Sequence, residues 1–201
     1  MSSPQTSLQI IVSPDPRLLQ KAEPVSVSEL SKLRQTALKM AKLMYESYGC
    51  GIAAPQVGIS KRLIVVDPDW GLPDEETGEV IPQRPQFFLN PEIRRLWGEQ
   101  DCADEGCLSV PGITVPVERF EFVELAYLDL DGNPHQLTAA GFFARVLQHE
   151  LDHLEGITLF EHLDPITRID AFQEYQEAIA AGAKPGDTKK PGSEQEDDDR
   201  S

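Results

Sequence analysis

The sequence predicts an α+β fold: small antiparallel or mixed sheets wrapped around a central helix that carries two histidines, with one helix towards each end of the chain. Three observations predict it. Apolar residues recur every third or fourth position near residues 30–48 and 166–179, the period of a helix with one buried face. Short apolar or alternating runs fill the middle, the signature of strands. Between them and the last helix lies Gln148-His149-Glu150-Leu151-Asp152-His153-Leu154-Glu155-Gly156, which reads as a helix ending at glycine. Helices at both ends and strands between them make a layered arrangement rather than a parallel α/β one.

Size and composition bound the rest. At 201 residues the chain suggests one domain with a real core, taken here as residues 1–183, followed by an acidic disordered tail, 184–201. The tail turns to Gly, Pro, Lys and acid and ends in an acidic run, Glu194-Gln195-Glu196-Asp197-Asp198-Asp199. A formal net charge of −16 argues against a nucleic-acid binder, which would carry a basic stripe, so no direct nucleic-acid partner is expected. The three cysteines, Cys50, Cys102 and Cys107, do not make an even disulfide framework. The first residues lack the pattern of a signal or transit peptide, and no apolar run approaches a membrane span. The expectation is a cytoplasmic protein with free thiols.

Taken in order, residues 1–7 are polar and read as loose. Ile10-Ile11-Val12 is a short apolar run closed by Ser13-Pro14-Asp15-Pro16, a turn signal. A helix is predicted over 28–48, with Leu30, Leu33, Ala37, Ala41, Met44 and Tyr48 as its stripe and Gly49 at its C-cap. Gly49-Cys50-Gly51-Ile52-Ala53-Ala54-Pro55-Gln56-Val57-Gly58 is too rich in small residues for an ordinary loop. It lacks the Lys-Ser/Thr of a phosphate loop and follows a helix instead of a strand. It reads as a backbone edge against which another chain could lie, with Gln56 offering an amide donor. Residues 62–67 predict a buried strand, 69–85 an exposed loop, and 86–91 a strand stopped by Pro91. Phe120, Phe122, Ala126, Leu128 and Leu130 share one parity, which predicts a strand over 120–130 with that face in the core. Asp131-Gly132 marks a hairpin turn.

The helix with the histidines is expected to begin near Thr138 or Ala140. Phe142, Val146, His149 and His153 run along one face, and Leu147, Leu151 and Leu154 offer a neighbouring apolar face. Asp164-Pro165 predicts the start of a last helix, to about residue 181, with Ile166, Ile169, Phe172, Tyr175 and Ile179 as its stripe.

Positions i and i+4 of a helix share a face, so His149 and His153 can ligate one divalent cation. Glu150 follows the first His directly, as in the His-Glu-x-x-His arrangement of hydrolytic metal sites, where the Glu is the general base. Two imidazoles leave such an ion short of ligands. Cys107, in Glu105-Gly106-Cys107-Leu108-Ser109-Val110-Pro111-Gly112, is one candidate for the third; Glu161 and His162 are others. A buried Cys107 could equally be a small core residue.

Three segments, in order, make the chain resemble a peptide deformylase, over roughly residues 8–163. They are Gly49-Cys50-Gly51-Ile52-Ala53-Ala54-Pro55-Gln56, Glu105-Gly106-Cys107-Leu108-Ser109 and Gln148-His149-Glu150-Leu151-Asp152-His153. The resemblance implies a hydrolase of N-terminal methionine processing that removes the formyl group from formylmethionyl peptides of nascent proteins and releases formate. It implies that Cys107, His149 and His153 hold one metal per chain, usually Fe(II), with water in the fourth position; Ni(II), Co(II) or Zn(II) can substitute. A thiolate with two imidazoles suits a borderline-soft ion and leaves that position open. It implies Glu150 as the base, and Gln56 with the backbone N–H of Leu108 as oxyanion donors.

For the substrate, it implies backbone pairing at Cys50, Gly51 and Ile52 and at Glu105 and Gly106. Cys50, Phe142 and Val146 are the expected walls of a methionine pocket. Arg145 departs from an apolar lining; it either snorkels outward or pairs with an acid such as Glu105. The resemblance leaves room for a transient ribosome contact, although a last helix with Asp170, Glu174 and Glu177 is not suited to the basic docking that some members use. Two rival readings remain: a zinc endopeptidase on the same helix, with its third ligand downstream of His153, and a non-catalytic module with structural imidazoles. Metal retention in Cys107→Ala would favour the protease; absence of metal after anaerobic purification would favour the module.

Overall fold

The computed structural model describes residues 8–189; the expected looseness of residues 1–7 and the disorder of 190–201 lie outside the described residues. Five strands form one antiparallel sheet in sequence order: β1 (Gly51–Ala53), β2 (Leu63–Val66), β3 (Gln86–Cys107), β4 (Val110–Leu128) and β5 (Pro134–Ala140). Three α-helices complete the fold: α1 (Leu30–Glu46), α2 (Gly141–Glu155) and α3 (Pro165–Ala180).

Strand β2 shows why the sheet is covered on both faces. Successive side chains of a strand point to opposite sides. Leu63 and Val65 pack under Leu33, Ala37, Met40 and Met44 of α1, while Ile64 and Val66 pack with Phe88, Val123 and Leu125 under Leu147, Leu151 and Leu154 of α2. All four β2 residues are fully buried, hence the unbroken apolar run. The histidine helix is thus held on the sheet by its leucine face, as the sequence predicts. Its Gln148 adds a clip, accepting from Phe120 N (3.1 Å) and donating to Phe120 O (2.9 Å) on β4. Gly156 closes α2 at φ 76°.

The sheet is more extensive than the sequence suggests. Pro91 does not stop β3; the strand passes it through a register shift between Leu89 and Glu92, with Asn90 at φ 48°. A bulge is where a residue without an N–H is tolerated. Charges at Glu92, Arg94, Arg95, Glu99 and Asp101 hide the continuation, because this stretch of β3 is largely exposed. Strand β4 begins at Val110, and beyond Gly112 its buried apolar residues are Ile113, Val115, Val117, Val123 and Leu125, the parity opposite to that expected. Arg119 and Glu121 interrupt that face in sequence, while Phe122 of the other face stacks on Trp97 (5.3 Å between centroids) and stays half-buried. Asp131-Gly132 does make the hairpin turn, but residues 134–140 form β5, and α2 starts only at Gly141.

The end helices also carry corrections. Helix α1 is closed by Tyr48, at φ 55° and 84 % exposed, while the Gly49 N–H reaches back to Met44 O (2.9 Å). The left-handed position thus precedes the glycine by one residue. Asp164 caps α3 as expected, accepting from Ile166 N (2.9 Å). The buried residues of α3, however, are Ala171, Tyr175 and Ala178, and Ile166 is 74 % exposed. Small residues let α3 approach the β3–β4 turn closely. A Cβ at Gly112 would stand 2.6 Å from that of Ala178, and Gly112 sits at φ 87°, so both space and backbone require glycine there. Residues 184–189, expected in the disordered tail, lie against the domain: Gly112 N donates to Asp187 O (2.7 Å).

Candidate active site and metal centre

The β3–β4 hairpin delivers one part of the site. Cys107 ends β3 and pairs with Val110 across a tight turn made by Leu108 and Ser109, just after a register shift at Glu105. Helix α2 delivers the second part. Sγ of Cys107 lies 3.2 Å from Nε2 of His153, and the ligand atoms of Cys107, His149 and His153 fall within 4.8 Å of one another. With metal–sulfur and metal–nitrogen bonds of about 2.3 and 2.0–2.1 Å, a tetrahedral ion needs its ligand atoms roughly 3.3–3.6 Å apart. The three residues therefore fit one divalent cation. Of the other ligand candidates, His162 is engaged with Asp152 (2.7 Å) and Glu161 caps Thr158 (2.7 Å).

Electrostatics favour ligation. Burial alone would raise the Cys107 thiol, but the rings of His153 and His149 outweigh it and hold it at about 5. A thiolate is the ligating form of cysteine. Burial likewise opposes a charged His149, yet the Cys107 sulfur and Glu105 raise it well above the usual histidine range, so a cation bound here competes with a proton on this ring.

His149 is oriented from behind. Its Nδ1 lies 2.8 Å from Glu105 Oε2. Burial pushes the Glu105 carboxyl up, but His149 and Arg119 outweigh that and keep it well below the usual carboxylate range. An ionised carboxylate only accepts, so Nδ1 donates and Nε2 is left for a metal. Arg119 holds Glu105 with a two-pronged grip (both 3.0 Å) and reaches Asp152 (2.6 Å). Arg145 adds a bond to Glu105 (2.8 Å) and to the Val117 carbonyl (2.9 Å). The open question about Arg145 is thereby answered: it pairs with Glu105. The sequence pointed to Glu105 for its backbone and as an acid that Arg145 could pair with, but did not single out Arg119 or its grip on Glu105 and Asp152.

Segment 49–58 supplies the third part. β1 is an edge strand, so one side of it is unpaired within the sheet. Oε1 of Gln56 accepts from Ala53 N (2.7 Å), which turns its Nε2 towards Cys107 Sγ (3.5 Å) and Ser109 Oγ (3.3 Å). Gly51 faces Glu150: a Cβ there would overlap Oε1 and lie 2.9 Å from Cδ and Cγ. Burial raises the Glu150 carboxyl to about 7, and its Oε2 has no protein partner.

These parts surround a cavity of about 230 Å³ lined by Cys50, Gly51, Gln56, Glu105, Gly106, Cys107, Leu108, Phe142, Arg145, Val146, His149 and Glu150. Burial and the charge of Glu150 push the Cys50 thiol up to about 12, so it is an uncharged wall. Val146 is buried, whereas Phe142 is 55 % exposed and forms the rim. Two expected site residues do not line the cavity. Ile52 is buried under α1 and pairs with Val65, and His153 sits behind the opening. Tyr48, Asp104 and Gly186-Asp187-Thr188 line it without having been foreseen.

The model of the family described as polypeptide deformylase matches residues 7–169 of the chain. The chain belongs to that family. It is 44 % identical, over 80 % of its own length and 89 % of the relative's, to peptide deformylase 2 of Xanthomonas axonopodis pv. citri. Among solved structures it is similar to the peptide deformylase of Synechococcus elongatus, crystallised with actinonin, at TM-score 0.74 and 38 % identity over 88 % of this chain and 90 % of that one. A deformylase of Acinetobacter baumannii with Met-Ala-Ser bound matches at TM-score 0.69 and 39 % identity, covering 81 % and 100 %. The chain is a hydrolase that removes the formyl group from the amino terminus of formylmethionyl peptides. The endopeptidase reading finds no support.

Proposed function

We propose that Cys107, His149 and His153 hold one Fe(II) ion, and that Glu150, Gln56 and the Leu108 N–H carry out the proton and charge handling around it. The ion, when bound, acts as a Lewis acid and lowers the pKa of water. The observation that carries the reading is Glu150: buried, without a protein partner for Oε2, and held near neutrality at the mouth of the three-ligand cluster. A base works best when its pKa lies near the working pH. Glu150 takes a proton from the attacking water and delivers it to the leaving amine. Gln56 Nε2 and the Leu108 N–H donate to the oxyanion that develops on the formyl oxygen. The C–N bond breaks, giving formate and a peptide with a free amino terminus.

The peptide lies along the free edge of β1 at Cys50, Gly51 and Ile52 and along Glu105 and Gly106, adding a strand. The side chain of Ile52 is in the core, so it contributes backbone only. Cys50, Val146 and Phe142 surround the methionine side chain. The Met-Ala-Ser bound to the Acinetobacter relative supports a peptide of this kind. The three cysteines are free, which supports a reducing, cytoplasmic setting, and no helix among the described residues is long and apolar enough to cross a membrane. A transient ribosome contact fits nascent chains as substrate.

The metal is tested on apoprotein reloaded with Fe(II), Ni(II), Co(II) or Zn(II) without oxygen, with formate release measured from formyl-Met-Ala-Ser. Iron should be fast and decay in air, as Fe(II) and the Cys107 thiolate oxidise. Nickel and cobalt should be stable. Zinc as fast as iron, or iron stable in air, would make the chain a zinc user or overturn the iron assignment.

A further inference from the structure

Beyond α3 the chain returns to the active site. The Ala183 and Ala178 methyl groups flank Gly112, and Ala183 N donates to Ala178 O (3.0 Å), which turns the chain at the end of the helix. A tight turn follows: Lys184 N donates to Asp187 Oδ2 (2.8 Å) and Asp187 N to Lys184 O (2.9 Å). The Asp187 carbonyl is then clamped by Gly112 N (2.7 Å). Gly186, at φ 103°, lies so close to Ser47 that a Cβ would overlap the Ser47 carbonyl oxygen. Thr188 covers Gly106, whose Cβ would stand 3.2 Å from Thr188 Cγ2. Gly186, Asp187 and Thr188 all line the catalytic cavity. This strap lies beyond residue 169, where the family match ends.

Its position matters because of what it covers. Gly106 belongs to one of the two backbone stretches assigned to the peptide, Glu105 and Gly106, and Cys50 to Ile52 is the other. The strap bridges these walls, from Ser47 at the end of α1 to Gly106 on β3. The cavity left beneath it, about 230 Å³, is below the common ligand-pocket range of about 300–1,000 Å³. One residue can enter; a chain extending past it meets Thr188 and Asp187.

We infer that the strap, residues 183–188, is a specificity element that competes with the peptide backbone beyond the first residue. Short formylated substrates react beneath it, and longer ones must displace it. The inference rests on the deformylase reading of the cavity. A single hydrogen bond is the backbone clamp between the strap and the β3–β4 turn, so its competition is worth roughly two- to tenfold in KM for longer peptides.

The test compares three proteins: the full chain, a chain ending at Ala183, and full-length Gly186→Val. The valine keeps the length but cannot adopt a positive φ or clear Ser47, so the strap is displaced without truncation. Each is assayed for formate release from formyl-Met amide and from formyl-Met-Ala-Ser. Expected is a two- to tenfold rise, in both variants, in the ratio of kcat/KM for the tripeptide to that for the single residue, carried by a lower KM. An unchanged ratio overturns the inference. A lower ratio also overturns it and makes the strap a wall that binds peptide. No formate from either substrate with any of the three metal-loaded proteins would overturn the underlying reading of the cavity instead.

Discussion

Replacing Gly51 by alanine tests the placement of the base through a residue that has no chemistry of its own. No positive φ is required at Gly51, so alanine is acceptable to the backbone there. Its new Cβ would lie 2.9 Å from Cδ and Cγ of Glu150 and overlap Oε1. Ordinary carbon–carbon contacts fall near 3.5–4.0 Å, so the carboxylate must retreat by roughly 0.6–1.1 Å. Misplacement of a catalytic group by about 1 Å costs about 10²-fold. Stability suffers less. Oε2 of Glu150 makes no protein hydrogen bond that the shift would break. The cost should therefore be near the low end of the overpacking range, about 1 kcal/mol, or roughly 2–4 °C in Tm for a chain of this size. The assay is formate release from formyl-Met-Ala-Ser, with metal content and melting temperature measured on the same preparation. Expected is a fall of about 10² in kcat at full metal occupancy. A wild-type kcat would show that Glu150 is not the base or is not placed by this contact. A fall in kcat accompanied by loss of metal would show that Gly51 acts on the ligands instead.

Glu150→Gln should retain the metal and lose about 10²–10⁴ in turnover, because the amide cannot take a proton; a wild-type rate would remove Glu150 from the mechanism. Cys107→Ala should purify without stoichiometric metal, read by elemental analysis, and retention of the ion would reopen the search for a third ligand. Glu105→Gln leaves the buried Arg119 and the half-buried Arg145 short of a carboxylate. It should destabilise by about 3–5 kcal/mol in denaturant melts and weaken metal affinity about 10–100-fold in a chelator competition. If stability and affinity were unchanged, the contact at His149 Nδ1 would be incidental.

The site was more legible than the sheet. His149 and His153 are fixed on one face by helical spacing, and Leu147, Leu151 and Leu154 fix how that helix docks, so local periodicity carries both facts. Cys107 is different: the residues left it one candidate beside Glu161 and His162, and the family resemblance chose it, because a hairpin of 22- and 19-residue strands brings it there. That hairpin was hard to read because much of it is exposed. Where neither face is buried, side chains need not alternate, and Glu92 to Asp101 look like loop. The parity error on β4 has a related cause. Arg119 belongs to the buried face, yet a charged residue in a strand reads as solvent-facing unless its partners, Glu105 and Asp152, are known to be there. The strap was missed because its Gly, Pro, Lys and acid composition is that of the segment that follows it. Its order comes from partners far away in sequence, at Gly112, Ser47 and Gly106.

Arg145 is the residue that sequence reasoning found out of place, and charge balance explains it. Glu105 is buried directly behind His149, and a buried carboxylate persists only if paired. Arg119 alone does not suffice, since it is shared with Asp152 (2.6 Å). With Arg145 added, Glu105 and Asp152 face two guanidiniums, those of Arg119 and Arg145, the latter also 3.4 Å from the exposed Asp101 carboxylate. The Cys107 thiolate is then the negative charge left facing the cavity centre, with Glu150 raised to about 7 beside it. Arg145 therefore does not shape the methionine pocket by its charge. It bonds the carboxylate that orients His149, and at the cavity wall its guanidinium is engaged by Glu105, the Val117 carbonyl and the Asp101 carbonyl (2.7 Å). Shortening it should consequently be felt first in how well the site holds its metal, and only through that in the choice of substrate.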